Sequence, residues 1–258
     1  ILEFIYGQIG LKTKPGDAQR AYANFNEIFG EYYEFYGRKV KLIPYTATGN
    51  IQDSVAATAD AETIARDIKP FAVINGPQLS NAFADTISAN GVLCVGCTST
   101  GDDSFYADRD PTQWGVQKTL TQNLVLVAEY LGKRLFDRPA KWAGGPLKNK
   151  PRKIALIAAE GAEADDDPVK QFIQTLADDY DAKLTKIQRY DDPLALGSTG
   201  RAMLSQFKSA GVTTIVFVGD PIAPQTLTRI ATEQNYFPEW VTSGSTLVEN
   251  NVFSRTYD

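Results

Sequence analysis

Two cysteines, Cys94 and Cys97, stand three positions apart in a chain that contains no histidine, and these facts bound its chemistry at the outset. The Cys-x-x-Cys spacing matches a redox pair. A reactive pair of that kind opens a helix, whose dipole lowers the thiol pKa, whereas Cys94 lies in the apolar run Val92-Leu93-Cys94-Val95 and reads as part of a buried strand. Two strand residues so spaced cannot be bridged unless Gly96 bends the chain. The expectation is two buried thiols, with a small structural disulfide at the strand end as the alternative. The missing histidines remove the commonest general base, the His-dependent triads and imidazole metal ligands together.

Other catalytic patterns are absent too. No G-x-G-x-x-G follows a strand, no G-x-x-x-x-G-K-[ST] or G-x-S-x-G occurs, and Gly132-Lys133-Arg134 lacks both a phosphate loop and its Ser/Thr. The carboxylates at Asp102-Asp103 and Asp165-Asp166-Asp167 are adjacent acids on polar stretches, which are usually surface rather than a glycosidase pair. The chain therefore reads as a binder, not an enzyme, and implies no cofactor and no metal.

The elements that would position a binding site alternate regularly. Residues 39–45, 71–75, 92–95, 153–159, 183–190, 213–218 and 239–242 read as strands, several apolar enough to be covered on both faces. Helical spacing links Val55, Ala59, Ile64 and Ile68, then Val169, Phe172, Ile173, Leu176 and Tyr180, then Met203, Phe207 and Ala210, with a further helix near Leu120 to Leu135. Asp167-Pro168 and Pro224 suit helix starts. Such βαβα alternation predicts an α/β fold with mostly parallel sheets. The polar stretch 101–117 and the Pro/Gly/Lys-rich stretch 137–152 interrupt it and suggest two lobes.

In parallel sheets ligands collect beyond the carboxyl ends of the strands. Four loops there are distinctive: Gly76-Pro77-Gln78-Leu79-Ser80, Cys97-Thr98-Ser99-Thr100, Glu160-Gly161-Ala162-Glu163 and Gly219-Asp220-Pro221. The first two offer hydroxyls and N–H groups to a carboxylate, and the latter two offer acids to an ammonium or hydroxyl. Each also has a plain structural reading: Ser80 as a helix cap, Thr98 and Ser99 as turn residues, Asp220 as an Asx turn, and residues 163–167 as an acidic helix start.

At 258 residues, with 43% hydrophobic and 22% charged side chains, the chain suits one large or two ordinary globular domains rather than a disordered one. The net charge is −5 and the basic residues are scattered along the sequence, so nucleic acid is not an expected partner. The longest apolar runs, such as residues 154–159, fall far short of the roughly 18 residues that a membrane span needs. The ends, Ile1-Leu2-Glu3-Phe4 and Phe253-Ser254-Arg255, read as the interior of something longer.

Gly37-Arg38-Lys39-Val40-Lys41-Leu42-Ile43, Ala72-Val73-Ile74-Asn75-Gly76-Pro77, Gly91-Val92-Leu93-Cys94-Val95 and the run Lys208 to Phe217 stand in an order and spacing that resemble the branched-chain amino-acid type solute-binding proteins of ABC transporters. Gly219-Asp220-Pro221-Ile222-Ala223 and Pro238-Glu239-Trp240 extend the resemblance over about residues 17–258, and it is most similar to long actinobacterial members. The resemblance implies a type I periplasmic-binding fold: two Rossmann-like lobes with mostly parallel sheets, a first lobe at 1–117 that is incomplete, a second at 118–244, and a segment 245–258 leading back to the first, with the break at 137–152 an in-lobe loop. An incomplete first lobe would leave an exposed sheet edge or apolar patch. By position, the resemblance places Gln78, Leu79, Ser80, Thr98, Ser99, Glu160, Asp220 and Ser243 at the ligand. The loop Thr242-Ser243-Gly244-Ser245 carries no carboxylate where the resembled proteins hold an ammonium, and Glu160-Gly161 replaces their Tyr-Gly.

The implied function is extracytoplasmic capture of a small polar ligand, an amino acid, amide or organic acid, for an ABC importer whose membrane subunits would be its partners, with a lipid anchor in the full-length precursor. The alternatives are a ligand-sensing domain of a receptor or regulator, which shares the fold, and a Rossmann-like enzyme using Asp220 or Glu160 as base.

Overall fold

The computed structural model describes residues 14, 16–49, 53–77, 80–98, 101–159, 168–193, 195–244, 248 and 251–258. By its contacts the chain divides into two compact units, Ile1–Ser99 with Arg109–Trp114, and Thr100–Asp108 with Gly115–Asp258.

The first unit contains helices α1 (Asp17–Tyr32), α2 (Ser54–Thr63) and α3 (Ala82–Ala89) and strands β1 (Ala72–Ile74), β2 (Leu93–Val95) and β3 (Gln113–Trp114). The strands form a parallel sheet in the order β1-β2-β3, with Val73 opposite Cys94 and Cys94 opposite Gln113. β3 lies in a stretch whose polarity had read as loop. Its residue Gln113 is buried, and its amide donates to the Ala84 carbonyl (2.8 Å) and the Ser88 hydroxyl (2.9 Å), so hydrogen bonding stabilises this strand where apolar burial does not.

Residues 39–45 are not a strand. Among the described residues they have no ladder partner, and the Asn26 amide of α1 holds Leu42 instead, accepting from its N–H (2.6 Å) and donating to its carbonyl (3.2 Å). The buried face of α2 is also turned from expectation. Ala57, Asp60 and Ala61 face inward while Val55 is 79% exposed. Asp60 accepts from the Tyr45 hydroxyl, the Thr48 N–H and the Thr48 hydroxyl, each at 2.9 Å, and these bonds compensate its burial. Among the described residues β1 has a ladder partner on one side only, and Phe25, Ile28, Tyr32, Phe71 and Ile74 are exposed.

Cys94 and Cys97 form a disulfide, which corrects the expectation of free thiols. Gly96 at φ 68° turns the chain sharply after β2, and the turn brings the two Cα atoms to 5.9 Å.

The second unit begins with the short helix α4 (Asp103–Ala107), followed by α5 (Leu120–Tyr130), β4 (Ile154–Ala159), α6 (Pro168–Tyr180), β5 (Lys186–Tyr190), α7 (Leu196–Ser209), β6 (Thr214–Val218), α8 (Ala223–Glu233), β7 (Glu239–Thr242) and α9 (Asn251–Ser254). The sheet order is β5-β4-β6-β7, all parallel, with Leu156 opposite both Ile187 and Val216. β4 and β6 are buried on both faces. Ala155, Ile157, Ile215 and Phe217 pack with Leu204, Phe207, Leu227 and Ile230 of α7 and α8. Leu156, Ala158, Val216 and Val218 pack with Leu124, Ala128, Phe172 and Leu176 of α5 and α6. Helices on both faces require continuous apolar strands, which is why IALIAA and TIVFV lack alternation.

Thr100–Asp108 and the final residues group with the second unit. Thr100–Asp108 does so because the Asp103 carboxylate accepts from the Thr119 hydroxyl (2.5 Å) and the Gln122 amide (3.0 Å) at the start of α5. The final residues do so because the Tyr257 hydroxyl bonds the Pro221 and Val248 carbonyls, both at 3.1 Å, and the Asp258 N–H donates to Thr228 (3.0 Å).

Residues 137–152 cross the amino ends of the strands and end on a buried ion pair. Arg152 and Glu239 have side chains only 2% and 5% exposed. Glu239 accepts from Arg152 Nε (2.9 Å) and Nη2 (3.0 Å), the Thr214 hydroxyl (2.6 Å) and the Trp142 N–H (2.7 Å), while Arg152 Nη1 donates to the Leu135 (2.6 Å) and Arg138 (3.1 Å) carbonyls. Glu239→Gln or Arg152→Met strands the other charge in the interior and is expected to cost about 3–5 kcal/mol in urea unfolding, while the paired change to Leu at both positions recovers most of that loss.

Candidate functional site

The second sheet reverses direction at β4: the chain moves outward to β5 and returns past β4 to β6, so the crevice beyond the β4 and β6 carboxyl ends is its topological switch point. Tyr190, the last residue of β5, is buried and stacks on Phe217 with ring centroids 6.1 Å apart. It lies opposite Ala159, whose small side chain lets the phenol lean across the end of β4. Its hydroxyl reaches Asp220 and donates to Oδ2 at 2.5 Å. Gly219 is glycine for a steric reason, since a Cβ there would overlap the Tyr190 hydroxyl.

Asp220 is fixed from the other side as well. Its Oδ1 accepts from the N–H groups of Ile222 (2.8 Å) and Ala223 (2.9 Å), which caps α8 and satisfies two donors at that helix start. The Asx-turn reading of Asp220 is therefore correct in geometry. Burial, and after it the Asp220 charge, pushes the Tyr190 phenol far above its usual value, so the phenol stays protonated and donating at physiological pH. Ser243, just beyond β7, is fully buried, and its N–H donates to the Phe217 carbonyl (3.0 Å).

The corresponding corner of the first unit lies beyond β1 and β2. Asn75 (φ 63°) and Gly76 follow β1, and a Cβ on Gly76 would come within 2.8 Å of both the Cys97 carbonyl and the Phe83 ring, so the two loops meet backbone to backbone. Ser80 Oγ accepts from the Ala82 N–H at 3.2 Å, at the start of α3. Thr98 is buried, and its hydroxyl donates to Asn81 Oδ1 at 2.7 Å, which joins the loop after β2 to that helix start.

Of the eight residues singled out from sequence, Gln78, Leu79, Ser99 and Glu160 lie outside the described residues. Ser80 and Thr98 share one corner through Asn81, and Asp220 and Ser243 lie beyond adjacent strands of the other unit. Sequence reasoning missed Tyr190 and Asn81. The available signal was an aromatic residue closing a strand, Tyr190-Asp191-Asp192, opposite a Gly-Asp-Pro loop, but nothing local links positions thirty residues apart.

The architecture is the type I periplasmic-binding fold: mixed α/β units with parallel sheets. No family model and no curated protein sequence matches the chain. Solved structures do. A periplasmic binding protein type 1 from Bordetella pertussis matches with a TM-score of 0.63 at 14% identity, over 97% of this chain and 63% of that one. LivJ, a branched-chain amino-acid substrate-binding protein from Streptococcus pneumoniae in complex with isoleucine, matches with a TM-score of 0.60 at 11% identity, over 87% and 57%. An ABC transporter solute-binding protein from R. palustris in complex with 4-hydroxybenzoate gives 0.58 at 14% identity, over 93% and 58%. The chain thus spans about three fifths of the length of these structures. At such identities the likeness establishes the fold, and these neighbours are binding proteins.

The Tyr190–Asp220 bond makes two linked predictions. Asp220→Ala removes the acceptor of two N–H groups at the start of α8 and leaves the buried Tyr190 hydroxyl without an acceptor, for an expected loss of about 2 kcal/mol in chemical unfolding, and Tyr190→Phe is expected to lose about 1 kcal/mol. Tyr190 and Tyr236 both have phenol pKa values raised by burial. A raised folded-state pKa contributes stability that is complete below the unfolded value, about 10, and is lost as pH rises above it. Unfolding free energy is therefore expected to fall with alkaline pH, and the fall should be shallower in Tyr190→Phe.

Proposed function

We propose that this protein is the extracytoplasmic solute-binding receptor of an ABC importer, that it carries out no chemistry, and that its partners are the ligand and the importer's membrane subunits. Its reading as two lobes, 1–117 and 118–244 with a crossover near Gln113 to Gln117, belongs to this proposal, as does a lipid anchor in the full-length precursor. The observation that carries it is the doubly covered parallel sheet with Gly219-Asp220 at its switch point, in a fold shared with solute-binding proteins. The Cys94–Cys97 disulfide supports a place outside the cytoplasm, where such bonds persist. No helix among the described residues is long and apolar enough to cross a membrane.

In this reading Ser80, Thr98 and the loops around them, with Gln78, Leu79 and Ser99, hold the ligand from the first lobe, and Asp220, Ser243 and Glu160 hold it from the second. A ligand recognised through a carboxylate or amide suits these groups best. The hydroxyls and N–H groups of the first corner match such a group, whereas Asp220 is already engaged by Tyr190 and two N–H groups. Lobe closure would follow from the ligand's better satisfaction in the closed state.

Thermal-shift screening against branched-chain amino acids, hydroxybenzoates, amides and short diols tests this. One class at about a hundredfold over Kd is expected to add roughly 2.7 kcal/mol, a rise of several degrees in Tm. No stabilisation by any compound, together with turnover of one, would overturn the proposal. Ser80→Ala and Thr98→Ala are expected to weaken that ligand by about 1–3 kcal/mol each with the fold intact. Reduced stability with unchanged affinity would instead leave Ser80 and Thr98 as helix-start and turn residues.

A further inference from the structure

The loop between α5 and β4 has a composition unlike the rest of the chain. Residues 133–153 hold eight of the 26 basic residues and a single acid, Asp137, although the whole protein carries a net charge of −5. Its fold needs few of those side chains. Backbone bonds clip it shut, from Ala140 N to the Lys150 carbonyl and from Asn149 N to the Ala140 carbonyl, both 2.9 Å, and Gly144 N donates to the Phe237 carbonyl at 2.8 Å. Ala140 and Ala143 are buried, and the Trp142 N–H is held by Glu239 of the buried ion pair. The polar and aromatic side chains point outward. Trp142 is 76% exposed, the Lys141 ammonium lies 4.8 Å from its ring centroid, and the partly exposed Phe237 packs beside Gly144. Arg134, Arg138, Lys141, Lys148 and Lys150 are all exposed, and none of them takes part in an ion pair among the described residues.

We infer that this loop is a docking surface for an anionic phospholipid membrane, with Trp142 seated at the headgroup level and the cations of the same loop against lipid phosphates. A tryptophan kept in water on a firmly pinned loop gains most where its ring meets an apolar layer and its N–H stays wet. Lys141 over the ring and the other exposed cations of the same loop gain most over a surface of continuous negative charge. The shape favours lipid over an acidic protein segment. An extended peptide is held in a groove, whereas the Trp142 side chain stands 76% exposed. The loop lies at the amino ends of the strands, the pole opposite the Tyr190–Asp220 corner, so the inference does not depend on the proposed ligand or importer.

Cosedimentation of the full chain with phosphatidylglycerol vesicles, against pure phosphatidylcholine vesicles, tests it. Binding is expected to the anionic vesicles only, and to be lost in roughly 0.5 M salt, where charges are screened within a few Å. Trp142→Ala and the double change Lys148→Glu with Lys150→Glu are each expected to weaken it about tenfold. Both leave the backbone clips and the ion pair in place, and an unchanged circular dichroism melt checks that they do. No binding to anionic vesicles, binding that the two variants leave unchanged, or tighter binding to polyglutamate than to vesicles would each overturn the inference, the last by pointing to an acidic protein partner.

Discussion

The second unit depends on the buried pairing of Arg152 with Glu239. Two opposite charges taken out of water are tolerable only when nearly every donor and acceptor around them is matched. Here the match comes from three further places in the chain: the carbonyls after α5, the Trp142 N–H and the first hydroxyl of β6. Because these partners lie at the amino ends of the strands, the pair fixes the register in which β4, β6 and β7 begin. A stretch rich in Pro, Gly and Lys, which composition alone would make a free linker, is thereby closed as a rigid loop.

The opposite pole is built around small residues and one aromatic. Ala159 and Gly219 leave the space through which Tyr190 crosses from an outer strand to Asp220, and the Asp220 carboxylate in turn caps α8. The loop after β6 is thus fixed by its own hydrogen bonds, and in the proposed reading it needs no rearrangement to meet a ligand. Such preorganisation suits a receptor, since a loop already ordered loses little entropy on binding. The first unit fixes its corner with Ser80 accepting from the Ala82 N–H and Thr98 donating to Asn81, and with a disulfide that closes the turn after β2.

Polar groups decide most points at which the structure departs from hydrophobic patterning. Asn26 satisfies the backbone of Leu42 where hydropathy predicts a strand, Asp60 turns α2 so that Val55 faces water, and Gln113 makes a strand out of a polar stretch. Each acts by satisfying a buried donor or acceptor across more than ten residues of sequence. Hydropathy carries no record of such a bond.

By itself the sequence determined the class of the protein. Unbroken apolar runs at 154–159 and 214–218 can be stable only as strands covered on both faces, and amphipathic segments of helical period between them require a parallel α/β sheet. The missing histidines and nucleotide motifs pointed to binding, and the positions of Ser80, Thr98 and Asp220 beyond strand ends followed from that topology, while Ser243 came only from the family resemblance. The tertiary structure alone decided what those side chains touch: that Asp220 is shared between a helix start and a phenol thirty residues away, that Cys94 and Cys97 pair because Gly96 turns the chain, and that Lys141 lies over the ring of an exposed tryptophan. The physical reason is range. Burial and periodicity are properties of neighbouring residues and are written locally, whereas a hydrogen bond or an ion pair exists only once the fold has brought its two halves within about 3 Å.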